Sequence, residues 1–73
     1  MRLRLTIDGM LAVHARRAVF TALSGVAGVA GAEVEMGSAV LDCDGPVRED
    51  EVRAAVESAG CRVTAVRREL PTL

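Results

Sequence analysis

Arg2-Leu3-Arg4-Leu5-Thr6-Ile7-Asp8-Gly9-Met10-Leu11-Ala12-Val13-His14-Ala15 contains a change of period. From Arg2 to Ile7 polar and apolar residues alternate, the pattern of a half-buried strand. Asp8-Gly9 ends it. From Ala12 the apolar positions become Ala12, Ala15, Val19, Ala22, Leu23 and Val26, which fall on one face of a helix. Ser24-Gly25 and Gly28 mark the frayed end of that helix and the loop after it.

The remainder repeats this arithmetic. Ala32, Val34 and Met36 alternate with Glu33 and Glu35, giving a second strand. Gly37-Ser38 suits a tight hairpin turn, and Ala39, Leu41 and Cys43 then alternate with Val40, Asp42 and Asp44. Asp44-Gly45-Pro46 is a break. Glu49-Asp50-Glu51 puts negative charge in the first turn of the next helix, at the positive end of its dipole. Val52, Ala55, Val56 and Ala59 form its buried stripe, and Gly60 stops it. Cys61 to Arg67 reads as a last strand with Val63 and Ala65 inward. The order βαββαβ predicts an α+β, ferredoxin-like fold: a four-stranded antiparallel sheet with two helices on one face. The predicted core is Leu5, Ile7, Val19, Leu23, Val34, Leu41, Val52, Val56 and Val63. Residues 1–68 are read as one domain and 69–73, with Pro71, as a loose tail.

Composition bounds what such a domain can do. A chain of 73 residues buries only about 60% of its unfolded surface, so its stability is modest without a metal, disulfide or partner. Ala and Val dominate the apolar residues, with one Phe and neither Trp nor Tyr. The formal net charge of −1 supplies no field for non-specific binding to nucleic acid or to a membrane surface. No apolar run approaches ~20 residues and no charged-then-apolar leader opens the chain, so neither a membrane span nor a signal peptide is expected. The cytoplasm is the expected compartment.

The loop Gly9-Met10-Leu11-Ala12-Val13-His14-Ala15 resembles that of heavy-metal-associated domains, found in copper chaperones, mercury-binding proteins and metal-pumping ATPases, where it reads Gly-Met-x-Cys-x-x-Cys. Ala12 and Ala15 stand at the two cysteine positions. His14 stands where bacterial copper chaperones commonly carry a His. The resemblance continues through the helix opened by Arg16-Arg17-Ala18-Val19, through Gly28-Val29 and through the hairpin from Glu33 to Asp44. Val52, Ala55, Val56 and Gly60 match the second helix and its end, with Cys61 where the family has Tyr. In the family two thiolates converge on a soft ion such as Cu(I), at a helix start whose partial positive charge favours the thiolate. An Ala methyl has no lone pair to give. The resemblance therefore implies the fold, and implies that tight metal binding in the usual mode is lost.

Several side chains carry two readings each. His14 is a relic on an exposed turn or a remaining ligand. Cys61, at the start of a last strand antiparallel to the first, lies beside the loop; it is a small buried replacement for the family's Tyr or half of a His14–Cys61 site for a weakly held transition metal such as copper. Met10 reads as a thioether ligand or, as the family resemblance implies, as a residue that points inward and shapes the loop from beneath, and the inward placement is expected. Cys43 is expected in the core, far from Cys61, leaving two thiols and no disulfide. Arg16 and Arg17 lie on the outer side of the first helix, and similar residues steer copper chaperones towards acidic partners. Val13 and Phe20, seven residues apart, form an exposed apolar strip beside the loop, or Phe20 folds over the edge of the core.

The leading reading is a non-enzymatic metal-trafficking-related binding or protein-interaction module with weak or no metal binding. Its expected partners are a metal-transporting ATPase domain, another domain of the heavy-metal-associated kind, or a second copy in a homodimer. Val13, Arg16, Arg17 and Phe20 are the expected interface. The alternatives are a remodelled soft-metal binder using His14 and Cys61, or a small-molecule regulatory domain. An RNA-recognition role fails for want of strand aromatics, and an acylphosphatase role for want of Asn and of an Arg in the first loop.

Overall fold

Residues 2–11 and 13–69 are described by a computed structural model of the chain. Their elements are β1 (Arg2–Asp8), α1 (Val13–Ser24), β2 (Val29–Glu35), β3 (Ser38–Cys43), α2 (Glu49–Ser58) and β4 (Arg62–Glu69). The strands form one antiparallel sheet in the order β2-β3-β1-β4. Both helices cover one face of it; α1 packs on β2 and on α2, and α2 packs on β4. The βαββαβ expectation is met.

The alternation in β1 decides which face is covered. Leu3, Leu5 and Ile7 are buried while Arg2, Arg4, Thr6 and Asp8 are exposed. Leu3 pairs with Leu41, and Leu5 lies between Ala39 and Val66. Val19 and Leu23 of α1 and Val52 and Val56 of α2 close over this row. Every predicted core residue is buried except Val34, which is half-buried at the sheet edge. Leu3, Met10, Val26, Ala39, Cys43, Val47 and Cys61 join the core as well. Transferring apolar surface of this kind out of water at about 25 cal/mol per Å² is what holds the layers together.

Three local readings are corrected. The inward position after Val63 is Val66, not Ala65: the β1–β4 register shifts between Thr6 and Ile7, so that Thr64 has no opposite number and the period-two count slips. Such a bulge cannot be seen in an alternation rule. The hairpin turn is Met36-Gly37, with Ser38 already in β3, so Met36 leaves the strand and is exposed. Glu69 belongs to β4 rather than to a tail: it pairs with Arg2 and accepts from Arg4 Nε at 3.2 Å. Residues 70–73 of the expected tail, and Ala12 of the expected loop, lie outside the described residues.

Gly28 sets the close approach that lets β2 enter the sheet. Its φ is +89°, and a Cβ there would run into the Pro46 carbonyl oxygen. Its own carbonyl accepts from Asp44 N at 3.0 Å, tying the start of β2 to the end of β3. Among the described residues no helix is long and apolar enough to cross a membrane.

Candidate functional site

The end of β1, the β2–β3 turn and the start of β4 meet at one end of the sheet. Ile7 N donates to Gly37 O at 2.8 Å, and Asp8 pairs with Arg62. Gly9, at φ +86°, backs onto the next turn; a Cβ there would lie 3.7 Å from both Cys61 Cα and Gly60 O. The loop after β1 therefore rests against Cys61, as the antiparallel placement of the two strands requires.

Met10 points inward, 6% exposed, and Leu11 points out, 90% exposed. Ala15 is half-buried and packs on the core from the first turn of α1, whereas His14 on the same turn is exposed. Cys61 is buried among the core residues, with its N–H donated to Val56 O at 3.2 Å. Cys61 thus fills apolar space under the loop while His14 faces solvent above it. Among the described residues no three His, Cys, Asp or Glu side chains gather where one ion could be held. A bound transition metal ordinarily needs three or four donors.

Cys43 lies at the far end of the sheet from the loop, opposite Val29. It is buried, its thiol donates to Leu41 O at 3.9 Å, and neither it nor Cys61 is in a disulfide. Burial pushes the Cys43 thiol above its ordinary value, and the flanking Asp42 and Asp44 carboxylates push it the same way. Cys43 is a packing residue far from the loop.

Val13, Arg16, Arg17 and Phe20 are spaced i, i+3, i+4 and i+7, so they share one stripe of α1. With Val34 of β2 they line an open groove of about 370 Å³. Val13 is 68% and Phe20 46% exposed, so Phe20 does not fold into the core. Ion pairs among the described residues join Arg2 to Asp42, Arg4 to Glu69 and Arg48 to Asp50; Arg16 and Arg17 take part in none. Two residues at this end of the molecule escape a sequence reading. Val34 reads as core because it alternates correctly, and only its place on an edge strand exposes it to the groove. Leu11 sits between the two periods, where neither rule assigns a face.

No protein-family model matches the chain, and no curated protein matches it. Solved structures do. A CopZ metallochaperone is 28% identical over 88% of this chain and 100% of its own, with a TM-score of 0.79. A copper binding domain from HMA7, a P-type ATPase, is 27% identical over 93% of this chain and 100% of its own, at a TM-score of 0.75. Oxidized MerP from Ralstonia metallidurans CH34 is 24% identical over 93% of this chain and 97% of its own, at a TM-score of 0.80. The fold is that of these heavy-metal-associated structures.

Proposed function

We propose that this chain is a heavy-metal-associated-like domain whose loop has given up its thiolate pair, acting as a binding or interaction module of metal-trafficking systems rather than as an enzyme. The donor content of the loop end carries this reading. The sheet, the Gly9 turn, the inward Met10 and the helix start from which Ala15 packs on the core are all in place. Among the described residues the His and Cys side chains there are one exposed imidazole, His14, and one buried thiol, Cys61. With Ala at both 12 and 15, affinity for Cu(I) falls far below that of a two-thiolate loop, because soft sulfur ligands are what select that ion.

The likeness to a metallochaperone and to a domain of a P-type ATPase supports a partner of the same circle: a metal-transporting ATPase domain or another domain of this kind. Arg16 and Arg17, exposed and without carboxylate partners among the described residues, supply the charge for an acidic one.

A second reading rests on the packing of Gly9 against Cys61. If the loop shifts enough to expose that thiol, His14 and Cys61 together form a weak two-donor site. Residual metal binding would then drop on either His14→Ala or Cys61→Ser, and binding indifferent to both would remove this reading.

The test of the main reading is restoration. The double variant Ala12→Cys, Ala15→Cys should gain tight Cu(I) binding if the backbone around the loop is still that of a metal site. A double variant that folds normally and still binds no more tightly than the parent would show that more than two sulfurs has been lost.

A further inference from the structure

The groove between α1 and β2 lies at the edge of the molecule, because β2 is the outer strand of the sheet. Its apolar floor is Val13, Phe20 and Val34, and Arg16 and Arg17 flank it. On the other side of the same edge, Glu33 and Glu35 alternate with Val34 and are exposed. Neither is in an ion pair among the described residues. Across one edge there are thus two cations, an apolar centre and two anions. An isologous interface requires a patch that complements itself, and this edge has that property.

We propose that the partner at this groove is a second copy of the chain, docked about a twofold axis parallel to the strands, so that the α1 stripe of each copy packs on the β2 edge of the other. The proposal rests on the reading of the chain as an interaction module and names the occupant of its surface.

The choice of axis follows from topology. Strands β1 and β2 are both antiparallel to β3, so they run in the same direction. β2 therefore finishes at Glu35 at the end of the molecule where α1 begins. That Val34 lines the same groove as Arg16 and Arg17 places the Glu33–Glu35 segment and these two cations at one level. Rotation about an axis parallel to the strands exchanges the helix layer with the sheet layer and preserves level. It sets Arg16 and Arg17 of one copy against Glu33 and Glu35 of the other, twice over, with Phe20, Val13 and Val34 between. A perpendicular axis pairing β2 with β2 near Val34 sets the glutamates of the two copies against each other. Like charges directly opposite are destabilising, and the arginines are left without anions. A standard interface takes about 800 Å² from each partner, about a sixth of this domain's 4776 Å² surface.

Sedimentation of the full chain over a range of concentrations tests this, with circular dichroism as the control for folding. Two variants are made: Arg16→Glu with Arg17→Glu, and Glu33→Arg with Glu35→Arg. Each alone sets like charges against each other and should weaken the dimer about tenfold or more. Mixed in equal amounts they should form a heterodimer, because both contacts then join opposite charges: the two reversed sets meet in one and the two unchanged sets in the other. Phe20→Ser should also favour the monomer while leaving the dichroism unchanged. A parent chain that stays monomeric at the highest concentrations overturns the proposal. So does a dimer indifferent to all three changes, or reversed variants that fail to associate on mixing. Copper titration of the same samples reads the metal-site proposal separately, so one can fail without the other.

Discussion

Three alanine substitutions separate the parts of the claim that Gly28 is a contact point and not only a turn. Gly45 has nothing within 4 Å of its would-be Cβ and is not among the positive-φ residues. Gly60 has φ +87° and open space around it. Gly28 has both the positive φ and obstruction, with Val47 Cγ2 2.9 Å from the added carbon and the Pro46 carbonyl oxygen in its way. Gly45→Ala should therefore change stability little, or raise it by up to about 1 kcal/mol through the unfolded chain. Gly60→Ala should lose about 1–2 kcal/mol for left-handed backbone carrying a Cβ. Gly28→Ala should lose that amount plus about 1–3 kcal/mol for overpacking, since a carbonyl held in the loop before α2 cannot swing away like the end of a side chain. At about 4–8 °C per kcal/mol for a domain of this size, the three melting temperatures should be well separated. Urea denaturation followed by circular dichroism gives the same ranking as free energies. If Gly28→Ala is no worse than Gly60→Ala, the strand entry does not depend on the approach of Pro46 and the account of this junction is wrong.

Other outcomes follow from the same geometry. Leu23→Ala, at a fully buried position under α1, should cost about 2–5 kcal/mol in a urea titration. Glu69→Gln removes an ion pair between half-exposed side chains, and exposed pairs contribute only about 0–1 kcal/mol, so its denaturation midpoint should barely move. The Cys43 thiol is held above its ordinary value by burial, so the folded protein keeps that proton more tightly than the unfolded chain. The resulting stability is complete below the unfolded value of about 8.5 and is lost as pH rises through the folded one. Between pH 8 and 10 the urea midpoint of the parent should therefore fall further than that of Cys43→Ala.

The fold was legible because four of its six elements carry a clean period, β2 and β4 each holding a register shift, and because glycines mark the breaks. Gly9, Gly28, Gly37 and Gly60, the four positive-φ glycines, all fall at ends of elements. What the pattern missed has a common cause: edges and bulges. Thr64 breaks the count in β4, so Val66 rather than Ala65 faces the core. Val34 has the right alternation for a core residue, yet its strand is the outermost one. Neither fact is local to the residues concerned; each depends on which strand lies alongside. The candidate loop was legible in a different way. Its frame is backbone geometry, which glycine and Met10 report, while the thiolate chemistry proposed to be lost from it would need sulfur at positions 12 and 15, where the sequence has Ala. The stripe Val13, Arg16, Arg17 and Phe20 could be read from helical spacing, but its fifth wall, Val34, required the sheet order.

The central claim is that a heavy-metal-associated fold is kept here without the thiolate pair that makes it a tight metal carrier. Competition for Cu(I) against a chromophoric chelator, run side by side on the parent chain and on Ala12→Cys with Ala15→Cys, tests it most directly. The account predicts that the parent leaves the chelator's spectrum almost unchanged while the double variant strips it of copper, a difference of several orders of magnitude in affinity. A parent chain that competes as well as the double variant would contradict it.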